Sequence, residues 1–326
     1  MLMMQFLNTY KDLFLDYLSA NKYDKAPHNL YEPVDYILGL GGKRIRPLLL
    51  LMAADIAGQQ AKEALAAAMS VEVFHNFTLL HDDIMDEAPL RRGHTTVHEK
   101  YDTNTAILSG DVMMITAYKC LENYPAEIAI KLLKIFNKMA VEVCEGQQMD
   151  MDFESREDVS IAEYFEMITF KTSVLIGAAL QMGGIIGGLG DQSANHLYHY
   201  GKNVGIAFQM QDDVLDTFGK PEVGKQPGGD IIQNKKTYLY LKTLQLVNED
   251  EKNELKKLFG SRPIDPSTKV QRVREIMKNA HVLIHSDEVK NEYKNLAFSH
   301  LEAIDMPDQE KTQFKEFGDF LLSRSL

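Results

Sequence analysis

The sequence predicts an all-α protein, and three observations predict it. Apolar residues recur at three- and four-residue spacing along most of the chain. Alternating β-branched strand patterns are scarce. The breaks between periodic runs are marked by Gly, Pro, Asn and Asp. The 326 residues are 45% hydrophobic and 25% charged, a globular composition with enough apolar material for a sizeable core. A length prior of ~150 residues per domain permits two domains or one large helical one.

The first periodic run, Phe6–Tyr17, reads as an amphipathic helix. It carries Lys11, Asp12 and Asp16 and lacks a basic leader or a small-residue cleavage site, so no targeting segment is expected. Further helical runs follow at Leu48–Ile56, Ala64–Ile84, Ile107–Leu121, Ile128–Val143, Ile161–Leu180, Ala194–Leu215, Lys236–Leu246 and Val270–Ile284. Loops are predicted at Gly39–Pro47, Glu87–His98, Asp150–Ser160, Gly187–Gln192, Phe218–Asn234 and Gly260–Pro266; none reads as an interdomain linker. The tail after Ala280 is charged and amphipathic. Val174–Gly190 has no charged residue, but Gln181 and its glycines favour a tightly packed core helix over a membrane span.

Net charge is −12 and the isoelectric point about 5.3, which argues against a nucleic-acid groove. It leaves phosphate binding open, since that needs only a few local cations. Two cysteines, Cys120 and Cys144, cannot build a disulfide framework or a four-thiolate zinc site, and a cytoplasmic setting is the default.

Two segments carry the chemistry. His81-Asp82-Asp83-Ile84-Met85-Asp86 and Gln211-Asp212-Asp213-Val214-Leu215-Asp216 both read D-D-x-x-D after an apolar run. On a helix, positions i and i+4 share a face, so Asp82 projects with Asp86 and Asp212 with Asp216. Like charges so placed are destabilising without a cation. Oxygen-only ligands select a hard ion, with Mg²⁺ the natural candidate and phosphate oxygens completing its shell. One such cluster alone is more often a solvated helix end. Two of them beside apolar runs favour metal.

Basic residues accompany the acids. Gly41-Gly42-Lys43-Arg44-Ile45-Arg46-Pro47 is a glycine-rich loop that leads into a helix, suited to an anion. Arg91-Arg92-Gly93 follows the first acidic motif, and Lys225 and Lys235 follow the second. Each alone reads as surface charge. Together they fit a diphosphate that meets metal and cations at once. The loop lacks G-x-x-x-x-G-K-[ST], which disfavours an NTPase.

On these residues the chain resembles the trans-isoprenyl diphosphate synthases, the polyprenyl synthetase family, over about residues 30–245. GGKRIRP is similar to the family's isopentenyl diphosphate loop, HDDIMD with RRG to its first aspartate-rich motif, and FQMQDDVLD to its second. Gly146-Gln147 and Lys171-Thr172 are similar to its G-Q and K-T elements. The resemblance implies one isoprenoid synthase domain over residues 1–326, with about ten or more helices around a central cavity, and a homodimer. It also implies an Mg²⁺-dependent prenyltransferase that joins isopentenyl diphosphate to an allylic diphosphate.

By that resemblance, Asp82, Asp86 and Asp212 bind the ions, three Mg²⁺ per site with Mn²⁺ an alternative. Asp83, Asp213 and Asp216 stand in or behind that shell. Arg91, Lys171, Lys225 and Lys235 hold the allylic diphosphate. Lys43, Arg46, His75 and Arg92 hold isopentenyl diphosphate. Thr172 and Gln209 sit beside the reacting carbons. His75 would otherwise read as an ordinary core or surface histidine. The chain departs from the family's usual pattern at Asn234 and Leu239, where Gly and Pro are common, and this puts the loop before Lys235 in question.

Product length is expected from Thr78, Phe77 and Phe74, which lie four, five and eight residues before Asp82, about one and two turns away on a helix. In the family the chain resembles, a bulky side chain at such places acts as a floor. By that resemblance, one aromatic, Phe77, beside a small Thr78 favours a C20 geranylgeranyl product over the C15 farnesyl alternative or longer chains. Met113 or Met114 could set the floor instead. A terpene cyclase would lack GGKRIRP and a second D-D-x-x-D. An inactive subunit would have lost ligands, and a plain helical scaffold would need none of them.

Overall fold

The computed structural model describes residues 2–219, 228–261, 263 and 265–323. Its α-helices are α1 (Leu2–Ala20), α2 (His28–Gly39), α3 (Ile45–Ile56), α4 (Leu65–Met85), α5 (Val97–Lys100), α6 (Thr103–Leu121), α7 (Ala126–Ser155) and α8 (Ile161–Ile168). They continue with α9 (Val174–Ile186), α10 (Asp191–Phe218), α11 (Gly229–Ile232), α12 (Tyr238–Leu246), α13 (Glu249–Phe259), α14 (Ser267–Asn279), α15 (Val282–Glu302) and α16 (Asp308–Leu322). Among the described residues the one sheet is a two-residue hairpin, β1 (Leu90–Arg91) paired antiparallel with β2 (His94–Thr95). The all-α expectation holds.

The chain forms two compact units. The first comprises Met1–Lys138 and Ala178–Tyr198, the second Met139–Gly177 and His199–Leu326. In the first, α4 packs against α6 and α3. Leu49 to Ala54 of α3 and Val71, Val73 and Phe74 of α4 are fully buried. A Cβ at Gly183 would sit 2.3 Å from the Leu50 carbonyl oxygen. That glycine lets α9 lie directly on the α3 backbone. The continuous helical stretch Ile161–Ile186 is long and apolar enough to cross a membrane, with mean hydropathy 1.3, but 72% of that window is buried inside the protein. The glycines thus serve helix packing, as the sequence suggested.

The second unit has its own core, with Phe153, Tyr164, Ile168, Met210, Leu241, Leu255 and Val273 buried together. Two sequence boundaries need correction. The helix expected over Ile128–Val143 runs on to Ser155, because Phe153 is buried and draws the segment into the core. Asp150 is therefore helical. The run expected over Val270–Ile284 is broken at His281, whose φ of 52° is left-handed and separates α14 from α15.

Candidate active site

The basic residues of the first unit converge. Gly42 has φ +123°, open in practice only to glycine, and a Cβ there would lie 2.7 Å from Arg92 Nη1. Arg92 sits in the β1–β2 turn at φ 54°, followed by Gly93 at φ 78°. Two successive left-handed residues make the tight turn that suits strand twist. The turn aims the Arg92 guanidinium at the loop, where it donates to the Gly41 carbonyl oxygen.

Arg46 and His75 are in contact, Nη1 to Nε2, at 3.1 Å. Burial, then Arg46, Arg92 and Arg91, hold His75 well below its ordinary value, so it is neutral near pH 7. Burial pushes Arg46 down to about 10; Glu72 opposes the fall and Arg92 adds to it. Lys43 is exposed on the same loop. Crowded cations that weaken one another's charge form a ready receptor for an anion.

The first acidic motif closes α4. Asp86 is the residue just past the helix, and its amide donates to the Asp82 carbonyl oxygen at 2.8 Å. Asp82 is half-buried and Asp86 exposed. Asp83 is buried and turned to Arg91, whose Nε lies 2.8 and 2.7 Å from its two carboxylate oxygens. Arg91 Nη2 adds a contact at 2.6 Å. Asp83 thus orients Arg91.

In the second unit the K-T element lies on a π-helical turn, Thr169–Ser173, between α8 and α9. Two glycines explain its placement. A Cβ at Gly146 of α7 would sit 2.2 Å from the Lys171 amide nitrogen, and one at Gly205 of α10 2.9 Å from the Ser173 Cα. The wide turn is thus held by backbone approach on both sides. Lys171 Nζ donates to Asp150 Oδ2 at 2.5 Å, and Lys235 Nζ lies 3.7 Å from the same oxygen. Burial alone would raise the Asp150 carboxyl, but Lys171 and Lys235 together hold it below the usual range. Lys171, Thr172, Gln209 and Lys235 line one cleft of about 110 Å³ with Asp150, Asp213 and Asp230.

The second acidic motif lies within α10. Asp213 Oδ2 accepts from the Tyr164 hydroxyl at 2.5 Å and Oδ1 from Gln209 Nε2 at 2.8 Å. Burial pushes Asp213 up to about 7; those two hydrogen bonds oppose the rise, and Asp212 and Asp216 add to it. Asp216 Oδ2 accepts from the Asp230 amide at 2.9 Å, tying the motif to the start of α11. Burial, then Asp213 and Asp216, also raise Asp230, with Lys235 opposing. Asp212 is half-buried.

The departure at Asn234 has a physical account. Its φ is 62°, the left-handed conformation that glycine would fill and that asparagine tolerates better than most residues. Its side chain is also engaged, accepting from Lys269 Nζ and donating weakly to the Ser261 carbonyl oxygen at 3.4 Å. Leu239 falls in the first turn of α12, where proline is tolerated for want of an intrahelical N–H bond. Lys225 lies outside the described residues.

The chain-length candidates separate. Phe74 is fully buried, its ring 5.2 Å from Phe136 and 5.7 Å from Phe77. Phe77 is half-buried, with its ring 4.7 Å from the His81 ring. Thr78 donates to the His75 carbonyl oxygen at 2.8 Å. Met113 is fully buried and Met114 half-buried on α6.

Sequence reasoning missed Asp150 and Tyr164. Asp150 follows Gly146 by four residues on the same helix, and that spacing was the available signal. Tyr164 gave none. Among the described residues no three His, Cys, Asp or Glu side chains form a ready-made metal cage. The donor set still fits Mg²⁺, which takes one or two carboxylates and completes its shell with phosphate oxygens and water. Burial first, and then the neighbouring aspartates, push Asp213 and Asp230 up, and a cation would relieve the second of these causes.

Known proteins resemble this chain in sequence and fold. Residues 27–278 match the polyprenyl synthetase family. The geranylgeranyl diphosphate synthase of Methanosarcina mazei is 38% identical over 310 residues, 91% of this chain and 90% of that relative. The geranylfarnesyl diphosphate synthase of Natronomonas pharaonis is 37% identical, with 92% of each chain covered. A crystal structure of a geranylgeranyl pyrophosphate synthase superposes with a TM-score of 0.94 at 47% identity, covering 98% of this chain and 99% of that one.

Proposed function

The chain belongs to the polyprenyl synthetase family and is a short-chain prenyltransferase, and from that premise we propose that it condenses isopentenyl diphosphate with an allylic diphosphate to make C20 geranylgeranyl diphosphate. The observation that carries the product length is the pairing of one half-buried aromatic, Phe77, with a small Thr78 a turn before Asp82. The similar synthases named for geranylgeranyl diphosphate support it. The match to a geranylfarnesyl synthase at nearly equal identity keeps overall similarity from deciding the length.

Asp82, Asp86 and Asp212 are the proposed holders of Mg²⁺, three ions per site, with Mn²⁺ a substitute. Metal bound there would neutralise the departing diphosphate so that the allylic C–O bond can ionise. Asp83 holds Arg91 in place, and Tyr164 with Gln209 holds Asp213. Lys171 and Lys235 are held by Asp150 until an incoming diphosphate competes for them. Thr172 and Gln209 offer oxygen dipoles to the carbocation, which apolar walls keep from water. Lys43, Arg46, His75 and Arg92 bind isopentenyl diphosphate, whose double bond attacks the cation. The proton then lost goes to the departed diphosphate, and no protein nucleophile is needed.

We read residues 1–326 as one functional domain, acting in the cytoplasm as a homodimer. Leu108 and Ile115 on α6, 58% and 59% exposed, supply an apolar face for a second copy. The test is radiolabelled isopentenyl diphosphate with dimethylallyl, geranyl or farnesyl diphosphate, with and without Mg²⁺, followed by extraction and chromatography. A C20 alcohol after phosphatase treatment is expected. A C15 or C25 product overturns the length, and turnover without divalent metal overturns the metal role.

A further inference from the structure

The binding reading uses Lys43 and Arg46 but gives no task to Arg44, which follows Lys43 directly. Arg44 is only 5% exposed. Its Nη1 pairs with Glu72 Oε1 and its Nη2 donates to the Leu38 carbonyl oxygen. Glu72 is itself 2% exposed. Asn76, one turn further along α4, donates to Glu72 Oε1 at 2.9 Å and to the Glu72 carbonyl oxygen at 2.8 Å. The backbone at Arg44 has φ 51° and ψ 31°, a left-handed step that arginine does not favour. Helix α3 begins at the next residue.

We propose that Arg44 and Glu72 are positioning residues for isopentenyl diphosphate, a buried strut that fixes the left-handed step so that Lys43 and Arg46 meet His75 and Arg92. The inference rests on the reading that those four residues bind that substrate. Three facts point the same way. A buried ion pair is a poor source of net stability, so its worth here lies in the geometry it sets. Strained backbone persists where surrounding contacts over-determine it, and Arg44 has such contacts through its two terminal nitrogens. Glu72 and His75 are three residues apart on α4, on neighbouring positions of one face. The helix that anchors the strut therefore also presents the histidine that Arg46 touches.

The pair also answers a charge problem. Arg44, Arg46 and Arg92 crowd one another, and unanchored cations would splay apart in the absence of an anion. Glu72 is the carboxylate that anchors Arg44, while Lys43 stays exposed for ligand.

The experiment measures isopentenyl diphosphate binding by calorimetry, with Mg²⁺ and a non-ionising allylic thiolodiphosphate present, beside steady-state kinetics. Glu72→Gln, Arg44→Met and Arg44→Lys should each weaken isopentenyl diphosphate binding roughly tenfold or more and raise its KM alike. The kcat and the allylic KM should stay within about threefold. Arg44→Lys retains the charge and guards against a variant that fails to fold. The double variant Arg44→Met/Glu72→Leu, an apolar pair, should recover thermal stability but not affinity. Recovery of both, wild-type binding in the single variants, or equal losses for both substrates would overturn the strut. Lys43→Ala and Arg46→Ala separate the two levels. If neither weakens binding, the substrate reading itself fails. If both do while Glu72→Gln binds normally, the strut alone fails.

Discussion

Asp83 and Asp213 hold the same place in the two acidic motifs, and they meet opposite partners. Asp83 faces a guanidinium: both its oxygens lie within hydrogen-bond reach of Arg91. Asp213 faces neutral donors, the Tyr164 hydroxyl and the Gln209 amide. The first motif therefore comes with its counter-charge supplied by the chain. In the second, burial raises Asp213 and Asp230, and Asp212 and Asp216 add to the rise in both. One sequence pattern thus yields one motif organised around an ion pair and one poised for a cation from outside. The outer aspartates are the proposed metal ligands in both, and the middle one sets the local charge.

The comparison breaks most readily at the outer ligands. Asp82→Ala and Asp212→Ala should each lower kcat by ~10³-fold or more at saturating Mg²⁺, as loss of charge stabilisation at a leaving group does. Helical circular dichroism should be unchanged. Near-normal turnover in either variant would show that its motif does not hold metal, and a loss in only one would end the idea of equivalent outer ligands.

The middle aspartates sharpen it. Asp83→Asn removes the acid from an ion pair whose arginine is 24% exposed. The cost should be about 2 kcal/mol, below that of a fully buried pair because solvent still reaches Arg91. Asp213→Asn should stay within about 1 kcal/mol, since hydroxyl and amide partners can reorient to accept as well as donate. Urea unfolding in the presence of chelator measures both. Equal losses would mean that the two settings are energetically alike.

Much of this contrast was legible in the residues and part of it was not. Helix periodicity located the acidic motifs, because long amphipathic runs leave few alternatives. Arg91 could be placed beside the first motif because it follows within a few residues, but its pairing with Asp83 could not be read there. Tyr164 could not be, since it lies 49 residues before Asp213 and a tyrosine in a periodic run reads as core. Asp150 was hidden by a loop expected where the burial of Phe153 extends α7. Asn234 stands where the family commonly has a glycine, and its φ of 62° is the left-handed conformation that glycine would also fill.

The residues ahead of each motif give a smaller contrast. Phe77 lies five residues before Asp82, and Phe208 lies four before Asp212. Phe77→Ala should open space beside the growing tail and lengthen the product by at least one isoprene unit. Phe208→Ala should leave the length unchanged, because the tail is proposed to run along α4. Chromatography of products from both variants decides. An unchanged distribution in Phe77→Ala with normal total turnover would move the floor elsewhere, with Met113 and Met114 next in line.

The smallest effect compares the residues seven before each motif, His75 and Gly205. Gly205 is there for packing: its Cβ would strike Ser173. His75 instead lies among charges, and its basicity is held well below the ordinary 6.5 by burial and by Arg46 and Arg92. A depressed histidine contributes stability that is fully present above its unfolded value and is lost as pH falls below it, because the unfolded chain then binds a proton that the folded one refuses. Between pH 7.5 and 5.5, the substrate-free protein should therefore lose about 1 kcal/mol more than His75→Asn, which cannot titrate but can still accept from Arg46. Isopentenyl diphosphate should shrink that difference, since an anion beside His75 favours its charged form. Parallel stability curves for the two proteins without substrate would show that this histidine is not held neutral by the arginines around it.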